Sequence, residues 1–291
     1  MRRQGLDVPW SAVLFVAVAA ASAGAEPVKA PAIDKPLVAH WRFDEDAGLD
    51  CLDAAGRWNA SAAPGRGAGL SRADGVHGGA IRFAGGHLLR VPGGPKLAGL
   101  PAISLSAWAR CAAFQRYNEI FRKEDGNHRV LFSFQERGTI LSLGLNVGGY
   151  VECDARIDPK VLLDGQWHHC AGTFDGQAMR VYLDGRLIGS LERRGTIAAG
   201  GTAPGCIASM NGGECFQGAL DDLRIYRAAL TAEEVSRLYR SGLTSLAGRA
   251  REVAGTLNFS SEYYFSRFFK KHSGQPPSAF QRGSGMYVRG L

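Results

Sequence analysis

Two Asp-Gly pairs, Asp175-Gly176 and Asp184-Gly185, constrain this chain more than any other feature. They punctuate the stretch DGQWHHCAGTFDGQAMRVYLDGRLIGS, which begins at Asp164. An Asp-Gly pair supplies the positive φ angles of a two-residue hairpin turn. The flanking runs, Gln166 to Phe174 and Ala178 to Leu183, are rich in β-branched and aromatic residues with partial alternation, as half-buried strands require. Two consecutive antiparallel hairpins are therefore predicted.

The same logic extends over most of the chain. Strands are predicted near Leu37 to Phe43, Ala80 to Phe83, His87 to Val91, Ile103 to Arg110, Val130 to Phe134, Ile140 to Asn146 and Ala219 to Tyr226. Gly78-Gly79 and Gly85-Gly86 bracket one of them as turn glycines. No long helical pattern interrupts the series before Thr231. A chain of 291 residues with 39 Gly can bury a two-sheet core, and sandwiches of about 200 residues commonly form one domain. The economical fold is mainly β, a two-sheet antiparallel sandwich.

Three segments then point to a family. LVAHWRFDEDAG near Leu37, GVHGGAIRFAGGHLLRV from Gly75 and ISLSAWAR from Ile103 precede the double hairpin, and FQGALDDLRIYRAALTAEEVSRL follows it. In this order they resemble the laminin-G-like, concanavalin A-like jelly roll over residues 37–242. The resemblance implies a binding fold whose partner is a carbohydrate or a cell-envelope protein. It also implies a structural calcium held by Asp221 or Asp222, with Asp44 and Asp53 as companions, since hard cations take carboxylate oxygens. Related jelly rolls include glucanases that carry Glu-x-Asp-x-Glu, or a one-residue variant, on a strand. The sequence holds no such spacing, and Asp44-Glu45-Asp46 are adjacent and cannot share one face of a strand. Gly-x-Ser-x-Gly, His-Glu-x-x-His and phosphate loops are also missing. A noncatalytic module is expected, with a glycoside hydrolase-like enzyme as the disfavoured reading.

Residues 1–25 read as a signal peptide: Arg2 and Arg3 precede the apolar run Ala12 to Ala21, and Ala23-Gly24-Ala25 offers a cleavage site. The run is too short for a stable membrane span. Residues 26–36 form a linker, and the expected location is secreted or periplasmic. Six cysteines fit export, and a turn at Met210 to Gly213 places Cys206 opposite Cys215 as a disulfide; the alternative is six small buried thiols. His168 and His169 point to opposite faces of a strand, so a packing role is expected. Trp58, Tyr117 and Tyr150 are aromatics able to stack on sugars, with core or edge packing as the alternative.

Beyond the hairpins, Thr231-Ala-Glu-Glu234 is a capping box; Val235, Leu238 and Tyr239 form an apolar face, and Gly242 is read as the helix end. Residues 245–283, including REVAGTLNFSSEYYFSRFFKKHSGQPPSAFQR, resemble the second helix-turn-helix of AraC/XylS-type regulators, followed by a disordered tail at 284–291. That resemblance makes Ser261, Glu262, Arg267, Lys270 and Lys271 candidate DNA contacts. Residues 245–291 hold seven Lys and Arg against two Glu within a chain of net charge +7, the electrostatic footprint of phosphate contact. Two readings stand at this stage: an exported recognition module with a fused tail, or a DNA-binding regulator with a ligand-sensing jelly roll.

Overall fold

A computed structural model describes residues 32–56, 58–63 and 69–256, together with 261, 263, 264, 266, 267 and 270. Among these residues fifteen strands build two antiparallel sheets. The first sheet runs β13 (Arg186–Glu192), β12 (Ala178–Leu183), β11 (His168–Phe174), β6 (Ile103–Ala113), β15 (Gln217–Tyr226), β4 (Gly79–Ala84) and β3 (Leu70–Asp74), with β1 (Leu37–Trp41) also on β15. The second runs β10 (Tyr150–Arg156), β9 (Ile140–Asn146), β8 (His128–Gln135), β7 (Tyr117–Asp125), β14 (Gly205–Ile207), β5 (Leu89–Val91) and β2 (Ser61–Ala62). The architecture is the mainly β two-sheet sandwich that the hairpin pattern predicts.

Alternation sets the core. Leu105, Ala107 and Ala109 of β6 and Phe132, Phe134 and Val130 of β8 project between the sheets, joined by Leu141, Leu143 and Leu145 of β9. Both Asp-Gly pairs fall between paired strands. Asp184 and Gly185 take φ of 51° and 74°, as a tight hairpin needs. Asp175 instead keeps its turn closed with its carboxylate, which accepts from Gln177 N and Ala178 N at 2.8 and 2.7 Å. Strands β2, β3, β7, β10 and β14 are not among the predicted segments; β2 and β14 have only two and three residues, and polar residues break the apolar run of β7.

Three expectations need correction. Gly242 does not end the helix: α1 is a single turn at Pro159–Leu162, and α2 runs unbroken over Ala232–Thr256. A Cβ at Gly242 would lie 2.0 Å from Trp108 Cζ2, so this glycine serves close approach of helix to sheet. The capping box is present, with Glu234 N donating to Thr231 Oγ1 at 3.2 Å and Thr231 N to Glu234 Oε2 at 2.8 Å. Second, Cys206 and Cys215 are not bridged, and all six cysteines are free and buried. Met210 does pair with Gly213, but Phe216 N then bonds Ala208 O, a register that carries Cys215 past Cys206. Cys206 instead lies between Arg90 of β5 and Arg122 of β7. Third, α2 carries the chain past Gly242 into the segment read as helix-turn-helix, so the break expected between the jelly-roll helix and that unit is missing.

Residues Lys29–Gly242 form one compact unit, and the helical segment from Leu243 belongs to a second. The predicted signal peptide, most of the linker, Glu262, Lys271 and the tail at 284–291 lie outside the described residues. Among the described residues no helix is long and apolar enough to cross a membrane.

Candidate functional site

The brevity of β14 creates an opening on the outer face of the seven-stranded sheet. Its neighbours β5 and β7 each present an arginine at the matching position, Arg90 and Arg122, while β14 presents only the small thiol of Cys206 between them. The loops at either end of β14 raise Ala203 and Pro204 on one side and Ser209, Met210 and Asn211 on the other. The result is a recess of about 310 Å³, whose wall also includes Glu124. Its size is at the lower end of that of small-ligand sites, about 300 to 1,000 Å³. Burial pushes the Cys206 thiol above its ordinary value, so the floor is a neutral, weakly polar surface.

Charge in the wall is organised by Arg122. Its Nη1 donates to Glu119 Oε1 at 2.9 Å and to Glu214 Oε2 at 2.7 Å, and its Nη2 donates to Glu124 Oε2 at 2.9 Å. Glu124 is shared with Arg129, whose Nε lies 2.8 Å away. Glu119 is only 1% exposed. Burial, with the neighbouring Glu214 adding to it, lifts its carboxyl well above the ordinary glutamate range despite the attraction of Arg122. Sequence reading missed this cluster because β7 carries a bulge between Glu119 and Phe121. Without the extra residue, Glu119 and Arg122 would point to opposite faces.

The polar surface continues across the sheet. Ser142 Oγ donates to Asp154 Oδ1 at 2.6 Å, and Glu152 Oε1 accepts from Gln135 Nε2 at 2.9 Å and Tyr150 OH at 2.5 Å. The Arg129 guanidinium stacks 4.3 Å from the centroid of Tyr150. Gly144 makes room for that ring, since a Cβ there would meet the Tyr150 hydroxyl at 2.6 Å. Of the three aromatics singled out from the sequence, Tyr150 is 38% exposed, whereas Trp58 is buried at 1% and donates to Pro92 O. Tyr117 is half-buried under Arg116.

The four aspartates expected to share a calcium are dispersed in purpose. Asp222 Oδ1 is held 2.6 Å from His40 Nε2, and Arg224 bonds both of its oxygens at 3.1 Å. Asp53 accepts from His40 N, Ala55 N and Trp58 N. Asp221 Oδ2 accepts from Val76 N and His77 N, at 2.6 and 2.9 Å, and Asp44 Oδ1 accepts from Gly79 N at 2.8 Å. Asp221 Oδ1 is buried without a hydrogen-bond partner, and burial with the nearby Asp222 and Asp44 charges raises the Asp221 pKa. Among the described residues no three His, Cys, Asp or Glu side chains gather as a metal-holding group. In this arrangement these carboxylates tie loops to β15 and β1.

The adjacent histidines behave as opposite-face residues. His168 bridges Asp184 Oδ2 at 2.8 Å and Asp164 Oδ1 at 3.2 Å; burial opposes its charge, but the two carboxylates prevail and raise its pKa. His169 bonds Ser106 Oγ at 2.9 Å and packs against Trp108 and Tyr239, and burial lowers its pKa to about 4. Of the candidate DNA contacts, Ser261 accepts from Tyr264 N at 3.4 Å, Arg267 lies exposed over the Tyr263 ring, and Lys270 is exposed. None of them belongs to the recess.

A sequence-family model, Laminin_G_3 of the concanavalin A-like lectin/glucanases superfamily, matches residues 83–236. Among solved structures, domain 4 of AbnA, an extracellular arabinanase from Geobacillus stearothermophilus, in complex with arabinotriose, is 26% identical; the match covers 71% of this chain and 100% of that domain, with a TM-score of 0.59. The binding domain of Paraclostridial Mosquitocidal Protein 1 is 17% identical over 71% of this chain and 52% of that one, with a TM-score of 0.54. That of Botulinum neurotoxin serotype G is 14% identical over 70% and 50%, again at 0.54. These two share the fold alone. No curated protein sequence is significantly similar to the chain.

Proposed function

The chain belongs to the Laminin_G_3 family of the concanavalin A-like lectin/glucanases superfamily, and from that premise we propose that it is a noncatalytic carbohydrate-recognition module whose combining site is the recess over β14. One observation carries this reading. A three-residue strand leaves an opening of about 310 Å³ where donors, acceptors and apolar groups converge: Arg90 and Asn211, Glu124, Pro204 and Met210. Sugar recognition needs such a mixture, because each ring offers both hydroxyls and an apolar face. The arabinotriose complex of the 26% identical arabinanase domain supports carbohydrate over an envelope protein as the partner.

Catalysis is disfavoured on chemical grounds. Glycoside hydrolysis needs one carboxyl free to donate a proton and a second free to attack or to activate water. Glu124 is the one acidic residue lining the recess and is bonded by Arg122 and Arg129, while Glu119 behind it is 1% exposed, so the recess does not offer two accessible carboxyls. Export is part of the proposal and rests on the leader-like residues 1–25. A glycan array probed with the full chain tests the function. Binding to immobilised carbohydrate without release of reducing sugar is expected, and a folded chain that binds no glycan refutes it.

A further inference from the structure

Strand pairing aligns one residue from each of six strands on the outer face of the seven-stranded sheet. Arg90 pairs with Cys206, Cys206 with Arg122, Arg122 with Leu131, Leu131 with Gly144 and Gly144 with Glu152. Residues paired in antiparallel register share a face, so these six form a row that leaves the recess and crosses the sheet at right angles to its strands. From β14 to β10 it spans four strand spacings, about 19 Å. Cys206, Leu131 and Gly144 form its floor, and Tyr150, 38% exposed, stands at its far end. Arg129 joins the two ends, stacked on that ring and bonded to Glu124.

Three carboxylates lie in or beside this row, and each is held in the same way. Glu124 uses Oε2 to accept from Arg122 and Arg129, Glu152 uses Oε1 for Gln135 and Tyr150, and Asp154 uses Oδ1 for Ser142. Among the described residues no donor reaches Glu124 Oε1, Glu152 Oε2 or Asp154 Oδ2, so each group is fixed by one oxygen and open at the other. Arg90 offers the reverse at the recess end, since only its Nη2 has a partner, Asn211 Oδ1 at 2.7 Å. A donor at one end and acceptors spaced along the row suit a ligand that carries hydroxyls at intervals. A single sugar ring would reach only the recess.

We propose that the combining site extends from the recess across the outer face of the seven-stranded sheet to Tyr150 and Asp154, and that it takes an oligosaccharide of about four linked sugars, each ring advancing by about one strand spacing. This rests on the carbohydrate reading above. The first ring sits in the recess against Arg90, and the last covers the exposed part of Tyr150. Hydroxyls of successive rings donate to the open oxygens of Glu124, Glu152 and Asp154. Because these carboxylates are already fixed to their neighbours, they lose little freedom when the sugar binds.

Isothermal titration of the full chain with arabino-, xylo-, manno- and cello-oligosaccharides of one to six units tests the length of the site. In the series that binds, affinity is expected to rise severalfold with each unit up to about four and to level off beyond, as each added ring gains one or two hydrogen bonds. Tyr150→Ala and Asp154→Ala are each expected to lower affinity for the tetrasaccharide about tenfold while leaving that for the disaccharide within about twofold. Arg90→Ala is expected to lower both. The retained disaccharide affinity shows that the first two variants are folded. An affinity that stops rising at two units, or a tetrasaccharide affinity unmoved by both Tyr150→Ala and Asp154→Ala, would overturn the extended site and leave carbohydrate recognition standing. Binding of no oligosaccharide in any series would remove the carbohydrate reading and the extended site with it.

Discussion

Gly242 offers a substitution whose sign is opposite to that given by helix propensity. It lies inside α2, where replacing glycine by alanine ordinarily stabilises by about 1 kcal/mol. Here the added Cβ would stand 2.0 Å from Trp108 Cζ2, 2.6 Å from Cε2 and 2.8 Å from Cη2. The ring has little room to retreat: Trp108 is 1% exposed, with Tyr239 stacked at 5.8 Å and His169 at 5.2 Å between centroids. Relief must come from lifting the helix off the sheet, and overpacking of this kind costs about 1 to 3 kcal/mol, with lost burial of Val235 and Leu238 adding to it. Gly242→Ala should therefore destabilise by about 1 to 2 kcal/mol net. Gly248 is the internal control, since a Cβ there meets nothing within 4 Å, and Gly248→Ala should stabilise or be neutral. Urea denaturation followed by tryptophan fluorescence measures both. A Gly242→Ala variant at least as stable as the parent, with an unchanged denaturant slope, would refute the packing role assigned to this glycine.

Asp222→Asn isolates a buried charge, because position 222 has φ of 52°, a conformation asparagine tolerates. It leaves Arg224, 3% exposed, without its anion and should cost about 3 to 5 kcal/mol in the same urea experiment; a loss below about 1 kcal/mol would contradict the pairing. Glu119 gives a pH dependence. Its folded pKa is raised, so between the ordinary glutamate value of 4.5 and that raised value the folded chain holds a proton that the unfolded chain has lost. Its contribution is fully present below the ordinary value and declines as pH rises through the window. Glu119→Gln should flatten that decline in thermal melts taken from pH 4 upward, and an unchanged slope would show that Glu119 is ionised in the fold.

Much of the sandwich was legible because its signals are local. An Asp-Gly pair between apolar runs specifies a hairpin whatever surrounds it, and the observed β9 and β12 have the predicted ends, Ile140–Asn146 and Ala178–Leu183. The capping box likewise closes within four residues and formed as read. The end of α2 was not legible, since glycine stops a helix or admits a neighbour according to what packs on it. Here a tryptophan from β6, more than a hundred positions away, decides. The proposed Cys206–Cys215 bridge failed for a related reason: the turn at Met210 to Gly213 is real, but β14 is held between β5 and β7.

The charged clusters illustrate a more general limit. Counting by twos along a strand sorts side chains onto faces only while the ladder is regular, and two acidic groupings of this protein lie at irregularities. In β7 the bulge after Glu119 brings Glu119, Arg122 and Glu124 together. In β15 the register shifts between Asp221 and Arg224, so that Asp221 reaches the backbone of Val76 and His77 while Asp222 turns to His40 and Arg224. Failure to find carboxylates at alternate positions was therefore weak ground for expecting no clustered carboxylates on this fold. What argues against bond cleavage in the recess is access. Arg122 is bonded to Glu124, the one acidic residue lining the recess, and Glu119 behind it is 1% exposed, so the two accessible carboxyls that glycoside hydrolysis requires are not brought together there.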